Sequence, residues 1–152
     1  MAELLTACRF YSEADGVSEK LVLAVAGLPA ESPVAGDGGV HGSGKSGVRI
    51  RQATPTVEKF SNVTVKMVAT TDVDLYDWYK NCNTNDGGSS AWDSNRKASS
   101  ISAYDQAGNI QARWELVNAY PCKYEGPSFT ASDSNMANET LELVHEGITR
   151  VQ

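Results

Sequence analysis

The chain has 152 residues, 41% of them apolar and 21% charged, with 13 basic against 19 acidic side chains and a net charge of −6. That length suits one domain, residues 1–152, with its own hydrophobic core. The acidic balance argues against a general nucleic-acid binder, which carries a basic patch or stripe, and no run approaches the ~20 apolar residues of a membrane-spanning helix.

Strand patterns dominate in chain order. Residues 8–13 (CRFYSE) read as a short strand, followed by the turn dipeptide Asp15-Gly16. Residues 20–27 (KLVLAVAG) are apolar at both parities, so both faces should be covered. The cover could come from the chain's own core or from a neighbouring subunit. Residues 28–47 form a long loop rich in Gly, Ser and Pro. Alternation then predicts strands over 48–54, with Val48 and Ile50 on one face, and over 62–69, with Val63, Val65 and Met67 together.

One helix is expected, with Thr71 as its cap and Asp72 and Asp74 in the first turn, where negative charge meets the positive end of the dipole. Leu75, Trp78, Tyr79 and Cys82 follow as one apolar stripe. After a polar loop over 83–97, residues 99–105 and 109–117 flank Gln106-Ala107-Gly108 as a hairpin. Ile110, Ala112, Trp114 and Leu116 share one face of the second strand, and Gln111, Arg113 and Glu115 the other. Pro121 and Pro127 mark an irregular connection, and a last strand over 137–147 points Leu141 and Leu143 inward before Gly147. The sum is mainly β: an antiparallel β-barrel or sandwich of six or seven strands with one short flanking α-helix.

Residues 39–46 (GVHGSGKS) match G-x-x-x-x-G-K-[ST], the phosphate-binding loop of many nucleotide hydrolases, with Gly39, Gly44, Lys45 and Ser46 in the required places. That loop needs a buried strand before it and a helix beginning at the Lys, whose N–H groups face the phosphates. Here SPVAGDGG precedes it, and Gly47, Val48 and Ile50 favour a strand after it, with Pro55 soon beyond. A mobile surface loop is the simpler reading, and a small phosphate-loop enzyme using Gly39–Ser46 is the alternative to test.

Other chemistry is sparse. His41 and His145 lie far apart without ligand-spaced neighbours, and His145, after an alternating strand, reads as a packed or interface side chain. Residues 81–88 (NCNTNDGG) resemble a calcium loop, but Asp86 stands where Gly is required and Trp92 where the bidentate Glu belongs. Asp72 and Asp74 could be paired acids, although a charged helix start accounts for them. Cys8, Cys82 and Cys122 are far apart and odd in number, as expected of reduced thiols. The first ten residues lack a basic segment followed by an apolar one, so synthesis in the cytoplasm without a secretory signal is expected. No catalytic, cofactor-binding or metal-ligating set is assigned, and the chain is expected not to be an enzyme.

The C-terminal half carries a longer pattern. Trp114 is followed by Asn118-Ala119-x-Pro121 with Lys123, then Gly126-Pro127, then Glu139-x-Leu141-Glu142-Leu143-x-His145-Glu146-Gly147. Upstream lie Arg9-Phe10-Tyr11, Thr54-Pro55, Lys59-Phe60-Ser61-Asn62-Val63-Thr64 and Leu75-Tyr76-x-Trp78. In order and spacing this resembles the tail-tube proteins of contractile phage tails and cell-encoded contractile injection systems, a family related to the type VI secretion tube protein. The resemblance implies an antiparallel β-barrel or sandwich with a flanking helix, and a structural, self-assembling subunit. It also implies homohexameric rings stacked into a hollow inner tube through which cargo or DNA passes. Sheath, baseplate and cap proteins would be its partners, with no membrane, and its place would be a phage tail or tail-like particle. The 28–47 loop departs from the pattern; in such tubes it would bridge stacked rings. Gln111, Arg113, Glu115 and Glu142 are candidates to face the lumen. A monomeric β-sandwich binding module is the remaining alternative.

Overall fold

The computed structural model describes residues 4–38, 42–83 and 91–152. The chain divides into two compact units: residues 1–28 with 62–152, and residues 29–61.

The larger unit is built on seven strands in one antiparallel sheet. They are β1 (Phe10–Ala14), β2 (Val22–Ala26), β7 (Val63–Val68), β8 (Lys97–Tyr104), β9 (Ile110–Glu125), β10 (Asn138–Val144) and β11 (Gly147–Arg150). Their order is β1-β8-β9-β10-β7-β2, with β11 added alongside β9. The β8–β9 hairpin forms where Gln106-Ala107-Gly108 predicted it. Gly108 supplies φ of 89°, and Asp105 Oδ1 accepts the Asn109 N–H at 2.8 Å. Those bonds, with the amides of Asn109 and Gln111, hold the Asp105 carboxyl down at about 2.

Strand β9 organises the unit. It pairs with β8 along its first part, with Ala119 opposite Lys97 at the far end, and with β10 over Tyr120–Glu125. The passage between the two partners lies at Asn118, whose φ is +48°, a left-handed conformation that Asn tolerates better than most residues. Its side-chain amide donates to Glu146 Oε2 at 2.8 Å, while Arg96 Nη1 reaches Glu146 Oε1. The Asn118 bond first, then Arg96, lowers the Glu146 carboxyl.

Pro121 does not interrupt the strand, contrary to the sequence reading. It is fully buried inside β9 at a shift of register opposite Glu142 and Leu143. A bulge is where a residue without an N–H can sit within a sheet. Its carbonyl accepts the Asn83 side-chain amide at 2.7 Å. The strand expected to end at 147 instead becomes two: β10 stops at Val144, and β11 continues past Gly147 to pair with residues 114–117 of β9.

Helix α1 (Asp74–Asn83) starts later than expected. Its first i+4 bond runs from the Asp77 N–H to the Val73 carbonyl. Asp72 stands outside the helix and caps it from there, its Oδ1 accepting the Asp74 N–H at 3.1 Å. Leu75, Trp78 and Cys82 of the predicted stripe are buried, and Tyr79 is half-buried. Leu75, Trp78 and Cys82 meet Val63, Val65, Met67, Ile101, Leu116, Ala119, Leu141 and Leu143 in one core, so both halves of the sheet and the helix share a single apolar centre. Gly27, at φ 88°, ends β2 against the chain: a Cβ there would lie 2.3 Å from the Asn62 carbonyl oxygen.

The 29–61 unit is different in kind. Its strands are pairs of residues: β3 (Ala30–Glu31) with β6 (Lys59–Phe60), and β4 (Gly42–Ser43) with β5 (Arg49–Ile50). The strand expected over 48–54 is therefore only Arg49–Ile50. Alternation alone supplies no second layer to bury it against, and Val48 stays 61% exposed. Polar bonds hold this unit: the Thr56 N–H and hydroxyl both donate to the Pro33 carbonyl, at 2.8 and 2.5 Å. None of its described residues is buried.

Leu116 is 2% exposed at the centre of the core. Leu116→Ala should lower the unfolding free energy by about 2–5 kcal/mol, whereas the half-exposed neighbour Val117→Ala should change it by about 0.5 kcal/mol or less. Urea denaturation followed by circular dichroism checks both.

Candidate assembly interface

The sheet does not close. β1 and β2 are its two ends, and neither exchanges ladder bonds with the other. Each leaves one row of backbone donors and acceptors unpaired among the described strands, a template for another chain.

β2 is the more exposed of the two. The reading of 20–27 as covered on both faces does not hold within one copy, where Leu21 is 69% and Leu23 48% exposed. The physical reason is that the polar residue of the segment turns inward instead. Lys20 is 5% exposed, and its Nζ sits 2.6 Å from Asp72 Oδ2. Ser18 Oγ also donates to that carboxylate. The Lys20 bond foremost, then those from Ser18 and the Asp74 N–H, holds the Asp72 carboxyl well below the usual range. With Lys20 anchored at the helix start, Leu21 and Leu23 are left outside, and the register shift between Val22 and Ala24 places Leu23 at a bulge.

Two grooves border this edge. One, of about 460 Å³, runs along the open seam between β2 and the β1–β8 side and is lined by Leu5, Phe10, Leu23, Val25, Ile101 and Trp114. The other, of about 1020 Å³, is lined by Leu23 together with residues of the 126–137 connection, Phe129 and Met136 among them. Phe129 is 82% and Met136 73% exposed. Leu23 belongs to both, so the edge carries an apolar surface as well as open backbone. Exposed apolar side chains gathered in this way mark interaction surfaces. The sequence reading missed Phe129 and Met136; their signal was two large apolar residues in an otherwise small, polar stretch.

The remaining predicted residues are scattered. Lys45–Gly47 is a single 3-10 turn with Ser46 at φ 67°, followed by extended Val48. No α-helix begins at Lys45 to face a phosphate, and Gly39 and His41 lie outside the described residues. So do residues 84–90, which hold most of the calcium-like loop. His145 is buried, as a packed side chain would be. Asp72 and Asp74 are tied to Ser18, Lys20 and the helix start, not presented as paired acids. Gln111, Arg113 and Glu115 lie on β9 where it pairs with β8, whereas Glu142 lies on β10 and accepts the Asn62 amide at 2.7 Å. Cys8 is exposed, Cys82 buried and Cys122 half-buried, all as free thiols.

On the outer side of α1, Tyr76 packs edge-on against Tyr124 at 5.4 Å, and the Tyr124 hydroxyl donates to Glu139 at 2.8 Å. Burial, with Glu139 beside it, pushes the Tyr124 phenol up to about 12.

The family model described as T4-like virus tail tube protein gp19 matches residues 6–149. Comparison with curated proteins finds no match. Among solved structures, the chain is similar to a subunit of an extracellular contractile injection system in its sheath–tube complex, with a TM-score of 0.73 at 19% identity. That match covers 97% of this chain and 90% of the other. It is also similar to a subunit of the sheath/tube terminator of that system, at TM-score 0.75 and 19% identity over 99% and 98% of the two chains. A third likeness is to Hcp1 from Flavobacterium johnsoniae, at TM-score 0.61 and 17% identity over 94% of each. At these identities the likeness is one of fold.

Because the fold favours the protonated phenol, Tyr124 contributes stability that is present below pH 10 and lost as the pH rises from 10 through 12. Thermal melts across that range should fall for the native chain and fall less steeply for Tyr124→Phe. Equal slopes would contradict the assignment.

Proposed function

The chain belongs to the T4-like virus tail tube family, a structural rather than an enzymatic family, and from that premise we propose that it closes into homohexameric rings. The rings stack into the inner tube of a contractile tail or injection device, around a lumen that passes cargo or DNA. The observation that carries the reading is the open sheet: β2 and β1 are free edges, and the apolar residues Leu21 and Leu23 stand exposed beside them. Copies related by rotation about one axis present complementary edges to each other, and such an arrangement closes when the rotation divides a full turn.

The 29–61 unit supports the stacking of rings. It buries none of its described residues, too little to offset the cost of ordering a chain of its length. Formally it carries four basic residues (Lys45, Arg49, Arg51, Lys59) against three acidic (Glu31, Asp37, Glu58), while the rest of the chain carries nine against sixteen. A mildly basic arm of one copy therefore meets an acidic body of another. On this reading residues 1–152 make one tail-tube domain, of which 29–61 is the extension between rings. Gln111, Arg113, Glu115 and Glu142 are the candidates to line the lumen, where net negative charge keeps an anionic cargo from adhering. Sheath, terminator, cap and baseplate proteins, which accompany the tube-like subunits of similar structures, are the expected partners. The chain is made in the cytoplasm and ends in a phage tail or tail-like particle.

Negative-stain images of the purified protein should contain rings or tubes. Leu23→Asp, which sets a charge on the exposed edge, should abolish them while leaving the monomer's circular dichroism unchanged. Lys45→Ala should assemble like the native chain. Monomers at every concentration, or nucleotide binding that Lys45→Ala removes, would overturn the reading.

A further inference from the structure

Val22 and Val25 both pack against the core, although their spacing in one strand gives them opposite parity. The bulge reconciles them. Val22 stands opposite Met67, Ala24 opposite Lys66 and Val25 opposite Val65, so Leu23 is the extra residue. The same sequence has a strand without the bulge open to it. With Val25 kept opposite Val65, that strand would set Leu23 opposite Met67 on the buried face, with Leu21 inward and Lys20 outward. Both leucines, exposed in the bulged strand, would then be covered.

What holds the bulged register lies just before β2, where the chain is tied to the start of α1. The Ser18 N–H donates to Asp74 Oδ2 at 3.2 Å, Ser18 Oγ donates to Asp72, and Lys20 Nζ lies 2.6 Å from Asp72 Oδ2. The Lys20 N–H donates to the Tyr11 hydroxyl at 3.2 Å, and the Leu21 carbonyl accepts the Val68 N–H at 2.9 Å. Losing the bulge moves Lys20 along by one residue, about 3.4 Å, and turns its side chain to the other face. The contact with Asp72 cannot survive that. Conversely, an ammonium left at 5% exposure without its carboxylate is costly, so opening the pair drives Lys20 outward.

We propose that the Lys20–Asp72 pair is a register latch. Closed, it holds β2 bulged, with Leu21 and Leu23 outward; opened, it lets the strand slip by one residue and bury them. The slip belongs to a single copy. Its consequence for a ring, that the latch sets whether the apolar edge is offered to a second copy, rests on the assembly reading above.

Nuclear magnetic resonance on the full chain, diluted to the monomer, tests the latch. Asn caps a helix as well as Asp does, so Asp72→Asn removes the charge and keeps the cap. Lys20→Glu opens the same pair from the other side, and Asp72→Glu keeps it. A soluble gadolinium chelate broadens the signals of exposed methyl groups. The Leu21 and Leu23 methyls should broaden strongly in the native chain and in Asp72→Glu. They should broaden several-fold less in Asp72→Asn and Lys20→Glu, where contacts between Leu23 and Met67 should appear. Leucine methyls as exposed in those two variants as in the native chain would overturn the latch. Shielded leucines in the variants, beside a native chain that forms no rings, would uphold the latch and count against the assembly reading alone.

Discussion

A β-sheet is stable at its centre and incomplete at its rim, because each end strand offers a row of backbone groups to whatever chain comes next. Proteins that remain single blunt such ends with charge, proline or a covering segment. Here the strand at one end does the reverse. Lys20, the residue that could have charged the edge, is drawn inside to Asp72, and Leu21 and Leu23 are turned out. The exposed apolar edge is thus the other side of an ion pair whose lysine is buried and whose aspartate is partly exposed.

The same economy appears at the centre of the sheet. β9 runs continuously from Ile110 to Glu125 and serves two different partners, which requires a change of direction at Asn118 and a break of register at Pro121. Both are locally unfavourable for a strand. Each is compensated by side-chain bonds, from Asn118 to Glu146 and from Asn83 to the Pro121 carbonyl. The result brings β8, β10 and α1 around one core, leaving the rim of the sheet as the open surface.

The core was legible because its signal is periodic and local. Val63, Val65 and Met67, the Leu75–Trp78–Cys82 stripe and the Leu141–Leu143 pair all point where alternation or helical spacing placed them. The Asp105–Asn109 turn was legible for the same reason. What could not be read depends on partners far away in the chain. Nothing near Pro121 announces the bulge that admits it, and β11 exists only because residues 114–117 offer it a neighbour. Residues 48–54 alternate as cleanly as 62–69, yet lack a layer to pack against and form only a two-residue strand. The fate of 20–27 turned on a carboxylate 52 positions away. The family resemblance, which summed weak features spread across nearly the whole chain, pointed to the tail-tube family where no single feature did.

If the open rim exists to be completed by another copy, its backbone must change state on assembly. Amide hydrogen exchange of residues 22–26 reads that directly, comparing dilute monomer with assembled protein. The outward amides of β2 should exchange quickly in the monomer and become strongly protected in the assembly, while those of the central strand β9 are slow in both. Assemblies in which the β2 amides exchange as freely as in the monomer would contradict the central claim.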